Sequence, residues 1–261
     1  MIVSWTQISS FERCRYLWKR RFLDHWEPAE SENIAMRTGT LAHRLIQGQL
    51  EGKPVKEIMA LDHAENGFWK GQHPARQMAA RWLSETSGLR RGAAKIESEA
   101  FAQKQLLPDV EIAGQIDVMI ETVYGDKRLI DIKTTSGRPS WAAKRHSWSD
   151  QVLLYDWLTG YWADDLSYDI VSPDEMITIQ LTPTFDMRTA FYNRLTHSVE
   201  EMIAFAEECD EDDAPDDDVH RHYHDGCEWC SFNEICGPAR LGMPVNVELV
   251  RVDPMAHYQI C

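Results

Sequence analysis

Apolar residues recur at helical intervals at the start of the chain. Ile8, Phe11, Trp18 and Phe22 fall near a 3.6-residue period, which predicts one helix from Thr6 to about Trp26, capped by Ser4 or Thr6. Leu41, Leu45 and Ile46 share one side of a second predicted helix, Thr38 to Leu50, closed by Gly52 and Pro54. Residues 55–88 continue as a Trp-rich helical stretch that stops at Gly88. The pattern then changes to strands over 96–106, 111–122 and 128–134. Their short links, Pro108-Asp109 and Tyr124-Gly125-Asp126-Lys127, predict an antiparallel meander. Helical spacing of Val152, Tyr155 and Leu158 predicts a helix from Ser149 to about Trp162. A strand over 175–182 and a long helix from Asp186 to Glu208 follow, and then an irregular tail. Helices, three strands, helix, strand and helix make an α/β or α+β class with a mixed sheet. There is no internal repeat.

Composition narrows this a little. With 261 residues, 43% hydrophobic and 26% charged, the chain has the profile of a globular protein with one sizeable core. No apolar run reaches the length of a membrane span, so no membrane association is expected. The opening residues lack the basic-then-apolar order of a secretory signal, which predicts a cytoplasmic protein. A net charge of −15 argues against a nucleic-acid binder that relies on bulk positive charge. Eleven acidic residues, however, lie between Glu200 and Asp218 with no Lys or Arg among them. Basic groupings remain elsewhere: Arg13 to Arg21, Arg90 to Lys95, and Arg138, Lys144 and Arg145.

The sharpest chemistry is in the strands. Gly114-Gln115-Ile116-Asp117 is followed by Asp131-Ile132-Lys133. Alternation puts Asp131 and Lys133 on one side of their strand, and the hairpin brings Asp117 alongside. Carboxylates are preferred ligands of Mg²⁺ or Mn²⁺. A lysine next to such an ion suits metal-assisted phosphodiester hydrolysis. A lone D-x-K is more often a surface ion pair. This one lies inside the apolar run Leu129 to Lys133, where an unpaired charge is costly.

Taken in order, Gly39-Thr40-Leu41-Ala42-His43, GQID, DIKT and Gln151-Val152-Leu153-Leu154-Tyr155 resemble the successive motifs of the PD-(D/E)XK nuclease superfamily, its RecB-type and AddB-like members above all. The resemblance spans nearly the whole chain. It implies a restriction-endonuclease-like core, a mixed sheet flanked by helices, with helical N-terminal and C-terminal caps. It also implies that His43, Asp117, Asp131 and the carbonyl of Ile132 ligate Mg²⁺ or Mn²⁺, and that Lys133 positions the attacking water. Gln151 and Tyr155, four apart on one helix face, would guide the DNA strand. Glu99, on the first strand, resembles an acidic position often present in such enzymes. The activity implied is that of a DNA exonuclease acting on single- or double-stranded ends and leaving a 5′ phosphate.

Three of the six cysteines, Cys227, Cys230 and Cys236, form C-x2-C-x5-C, better explained by a metal or cluster than by disulfides in a reducing compartment. With distant Cys14 they resemble the 4Fe–4S staple of the AddB-like nucleases, in which four thiolates tie the first helix to the tail. Arg15 departs from the proline that relatives often carry after the first cysteine. Structural zinc is the alternative, with His220, His222 and His224 as substitute ligands. Cys209 and Cys261 fit no spacing.

The expected layout is one nuclease domain over 1–261, with 53–93 as a helical embellishment, 207–226 as an acidic loop whose stretch Glu207 to Asp218 faces away from the DNA path, and 227–261 binding the cluster. No G-x4-G-K-[ST] loop is present, so a helicase or recombinase would be a separate partner. A DNA-end-binding or assembly module, recruiting partners through Phe68, Trp69 and Trp82 or the acidic loop, is the competing reading. A non-enzymatic iron–sulfur protein is a third, and it leaves the acidic strand motifs unexplained.

Overall fold

The computed structural model describes residues 1–28, 34–146, 149–210, 227, 230–240, 247 and 249–252. The chain forms two compact units. The larger comprises Asn33–Lys104 and Ala113–Tyr192, and the smaller comprises Met1–Glu32, Gln105–Ile112 and Asn193–Ile260.

The smaller unit begins with β1 (Ile2–Ser4) and α1 (Trp5–Arg13). Ser4 caps α1, its hydroxyl accepting the Gln7 N–H at 3.4 Å. The single helix predicted to Trp26 is broken. Cys14 takes an extended backbone (φ −163°, ψ 112°), and α2 (Arg15–Trp18) restarts beyond it into a π-helical turn over Lys19–Leu23. Residues Trp26–Pro28 are not helical either; they form β2. Periodicity survives the break because Phe11 and Trp18 still bury together, ring centroids 5.4 Å apart, with Phe205 against both.

The larger unit opens with α3 (Ile34–Leu50), α4 (Val55–Asn66), α5 (Gln72–Glu85) and α6 (Ser87–Arg91). Leu41, Leu45 and Ile46 of α3 and Met78 and Trp82 of α5 share one core with Val118, Ile120, Ile130 and Ile132 of the sheet. The helical stretch within 53–93 thus contributes buried residues to the main core. Buried Asp62 gathers α4 onto the start of α5, accepting from Asn66, Trp69 and Gln72 at 2.8 to 3.0 Å.

The strands β3 (Ala93–Leu107), β4 (Val110–Thr122) and β5 (Lys127–Thr134) match the predicted meander. β4 and β5 are antiparallel, Val118 opposite Ile130. Two short helices follow, α7 (Pro139–His146) and α8 (Gln151–Leu158). The left-handed backbones of Gly160 and Tyr161 follow α8, so the helix stops short of the predicted Trp162. β6 (Asp165–Val171) runs parallel to β5, and β7 (Met176–Leu181) runs antiparallel to β6. The strand order is β1-β4-β5-β6-β7, with β3 also on β4.

Neither α7 nor β6 is among the predicted elements. β6 reads as mixed polarity, yet Ser167 and Asp169 are buried. Asp169 accepts the Trp82 indole N–H at 2.8 Å and the Thr178 hydroxyl at 2.7 Å. Trp82 is distant in sequence and Thr178 stands across on the next strand, so β6 itself carries no local pattern that signals it. The chain then enters α9 (Phe185–Asp210), which takes in residues 207–210 of the predicted acidic loop. The rest of that loop, His220, His222, His224 and Cys261 lie outside the described residues.

In the smaller unit, α10 (Asn233–Arg240) and β8 (Leu249–Arg251) complete the fold, β8 pairing antiparallel with β2. Tyr16 and Leu17 pack with Phe232 and Ile235, and Cys14, Cys230 and Cys236 border that cluster.

Candidate active site

Alternation in β5 does the first sorting. Ile130 and Ile132 join the core shared with α3 and α5, and the intervening Asp131 and Lys133 meet α8 instead. Lys133 Nζ lies 3.1 Å from Asp131 Oδ1 and 2.9 Å from Oδ2, and it donates to Gln151 Oε1 at 2.8 Å. Gln151 Nε2 donates to the Tyr155 hydroxyl at 2.7 Å. These two residues are one helical turn apart, as their spacing predicts.

Asp117 sits opposite on β4. Its Oδ2 accepts the Ile132 N–H at 2.6 Å, and its Oδ1 lies 3.5 Å from His43 Nδ1. Glu99 Oε1 approaches the same His43 nitrogen at 4.0 Å. Ligand atoms of His43, Glu99 and Asp117 all lie within 4.8 Å of one another. Among the described residues, the buried Glu99 Oε2 has no hydrogen-bond partner. Glu99 also holds a left-handed backbone, φ 52°, inside β3. Such strain costs about 1–3 kcal/mol and concentrates at functional sites.

The donor set fits a hard divalent cation. Two carboxylates and an imidazole converge, two buried oxygens of the site, Glu99 Oε2 and Asp131 Oδ2, have no hydrogen-bond partner among the described residues, and the cluster's charges are mutually perturbed. Burial, the largest influence on His43, pulls its pKa down, but Asp117, Glu99 and Asp131 outweigh it and leave it raised. Burial pushes Asp117 up, but His43, Lys133 and the Ile132 N–H hold it below its ordinary value. Burial, reinforced by Asp117, lifts Glu99 to about 7. Burial also lifts Asp131 despite Lys133. Burial, then Asp131 and Asp117, push the Tyr155 phenol well up, so it stays protonated.

Two glycines explain how the helices come so close. A Cβ on Gly39 would stand 2.7 Å from Thr134 Oγ1, so only glycine lets α3 rest on β5 and deliver His43 one turn later. A Cβ on Gly114 would meet Leu158 Cδ1 at 2.9 Å and Tyr155 Cε1 at 3.3 Å, so glycine also lets α8 approach β4. Both belong to the motifs GTLAH and GQID. Tyr168, which the sequence reading missed, is the cross-strand neighbour of Asp131. Its hydroxyl donates to Ser149 O at 3.0 Å and accepts the Val152 N–H at 3.1 Å, fixing the start of α8. Its only sequence signal is its place in β6, the strand that local patterning did not mark.

All seven side chains expected around the metal, His43, Glu99, Asp117, Asp131, Lys133, Gln151 and Tyr155, thus belong to one network in the larger unit. Ligand atoms of Glu99 stand with those of His43 and Asp117, and Asp131 pairs with Lys133. In the smaller unit, no disulfide involves Cys14, Cys209, Cys227, Cys230 or Cys236. Burial raises the Cys230 thiol, and neighbouring Cys14 and Cys227 add to that. The four predicted cluster cysteines therefore share one neighbourhood, two of them bearing on Cys230 and Cys236 packing on the same apolar cluster. Among the described residues, no helix is long and apolar enough to cross a membrane.

A candidate exonuclease from Eubacterium rectale is similar at 13% identity and TM-score 0.52, covering 85% of this chain and 88% of its own. The structure of SSO0001 aligns at 15% identity and TM-score 0.42, covering 90% and 95%. No functionally curated protein matches the chain. The likeness to the Eubacterium rectale protein speaks for the fold alone, and the mixed sheet flanked by helices agrees with a restriction-endonuclease-like core. The model of the PD-(D/E)XK nuclease superfamily matches residues 2–237, and the chain belongs to that superfamily.

Proposed function

We propose that the protein is a metal-dependent DNA exonuclease. The observation that carries this reading is the convergence of His43, Glu99 and Asp117 beside the Lys133–Asp131 pair. A divalent cation bound there would supply Lewis-acid activation and charge neutralisation for phosphodiester hydrolysis. His43, Glu99 and Asp117 would hold it, with Asp131 and the Ile132 carbonyl completing the set.

The remaining residues organise the substrate side. Asp131 and Gln151 together restrain the Lys133 ammonium, which orients the water and faces the developing negative charge. Because the Tyr155 hydroxyl accepts from Gln151, its own proton is available to a phosphate oxygen. Glu99, with its raised pKa, can take up a proton near neutral pH when no cation is bound.

The four cysteines are read as ligands of a 4Fe–4S cluster that ties Cys14 to the C-terminal segment. The support is their common neighbourhood and the break that Cys14 makes between α1 and α2. Iron and sulfide in stoichiometric amounts in brown, anaerobically purified protein would bear this out; colourless protein carrying zinc would sink it.

The decisive experiment for activity follows end-labelled single- and double-stranded DNA with Mg²⁺ or Mn²⁺. Wild type should shorten the label progressively, and Lys133→Ala should not, with an unchanged circular dichroism spectrum. Equal cleavage by the two proteins would show the site to be misassigned.

A further inference from the structure

The short helix α7 lies in the chain between Lys133 at the end of β5 and Gln151 at the start of α8, the two residues that meet in the site. One of its sides is anchored. Pro139 and Ala142 are buried, and the His146 ring lies 5.8 Å from the ring of Tyr168, the residue that holds the start of α8. The opposite side is of another character. Arg138, just ahead of the helix with its carbonyl accepting the Trp141 N–H at 3.0 Å, and Trp141 and Lys144 within it are all exposed, and they are spaced three apart, so they form one stripe. Trp141 is 71% exposed, a large apolar ring left in water between two cations on a chain whose net charge is −15.

An indole between positive side chains offers two interactions at once. Its face stacks on a nucleobase, and its neighbours pair with the phosphates on either side. A duplex hides its base faces, so the combination selects an unpaired strand. We infer that the stripe Arg138, Trp141 and Lys144 is a binding platform for single-stranded DNA, on which Trp141 stacks a base of the strand leading into the site. This rests on the reading of the protein as a DNA nuclease and deepens it by naming the substrate form. The anchored side holds the platform in fixed relation to Tyr168, and through Tyr168 to α8.

The test uses the full chain in EDTA, so that binding is read without cleavage. Anisotropy of a fluorescein-labelled dT20 strand gives the affinity, with a blunt 20-base-pair duplex as comparison. Trp141→Ala should weaken dT20 binding by about 5- to 150-fold, the range of one lost stack, and leave duplex binding nearly unchanged. Trp141→Phe should recover most of the loss, and Trp141→Leu should not, because it restores apolar volume without a stacking face. Lys144→Gln should lower the salt dependence by about 0.7 in log–log slope, which Trp141→Ala should leave alone. Wild-type affinity in Trp141→Ala, equal rescue by Leu and Phe, or equal loss on the duplex each overturns the platform. If wild type cleaves DNA but Trp141→Ala binds dT20 normally, only this inference fails. If wild type neither binds nor cleaves, the nuclease reading fails with it.

Discussion

The Ile132 backbone N–H donates to Asp117 Oδ2 across 2.6 Å. This one bond joins the two acidic strands at the level of the site and fixes which carboxylate oxygen is left for His43. Asp117→Asn keeps the shape but removes the charge, and an amide can satisfy the Ile132 N–H only by turning its NH2 toward His43. Cation affinity should fall by about 10- to 100-fold or more. Titration calorimetry with Mn²⁺ on the folded variant measures the loss.

Gln151 restrains Lys133 and touches Tyr155, so its removal should act on rate. Gln151→Ala should reduce kcat by about 10- to 100-fold with a small change in KM, because Lys133 keeps Asp131 but loses its second restraint. Tyr155→Phe should cost less, since it removes one donor and preserves the packing against Gly114. Single-turnover rates on an end-labelled oligonucleotide separate the two.

The cation-free protein should lose stability as pH rises. Glu99 ionises at its ordinary 4.5 when unfolded and at about 7 when folded, so the folded state binds more protons between those values. A raised His43 pKa acts in the same direction, its contribution being lost as pH rises past the folded value. Denaturant midpoints in EDTA should therefore fall from pH 5 to pH 8, and Glu99→Gln should flatten the fall. Added Mn²⁺ should raise the midpoint more at pH 8 than at pH 5, because it competes with those protons. A larger effect at pH 5 would rule out this origin.

Close approach of α3 to β5 gives a test that the wild-type contacts alone would not suggest. Gly39→Ala should destabilise by about 1–3 kcal/mol through its clash with Thr134 Oγ1. Adding Thr134→Ala should recover most of that, because the next atom in reach is Thr134 Cβ at 3.9 Å. Thermal denaturation of the two single variants and the double variant closes the cycle.

The site was more legible in the sequence than the fold that carries it. Asp131 and Lys133 announce themselves because alternation is local and their neighbours Ile130 and Ile132 are apolar. His43, Gln151 and Tyr155 were reached through motif order. Glu99 carries little local signal, since its left-handed backbone and its oxygen without a hydrogen-bond partner exist only once the chain has folded. β6 was missed for a related reason: Asp169 looks like a surface residue until Trp82 and Thr178 arrive from elsewhere in the chain. The break at Cys14 was equally hidden, because Phe11 and Trp18 keep their helical rhythm across it.

Glu99 sets folding against chemistry at a single position. Its backbone conformation is one that glycine adopts without penalty, and its carboxylate is one that a buried site accepts only with a cation at hand. Glu99→Gly should therefore yield a cation-free protein harder to unfold than the natural one, and a poorer enzyme. Stability and cation binding would then make opposite demands on this one position.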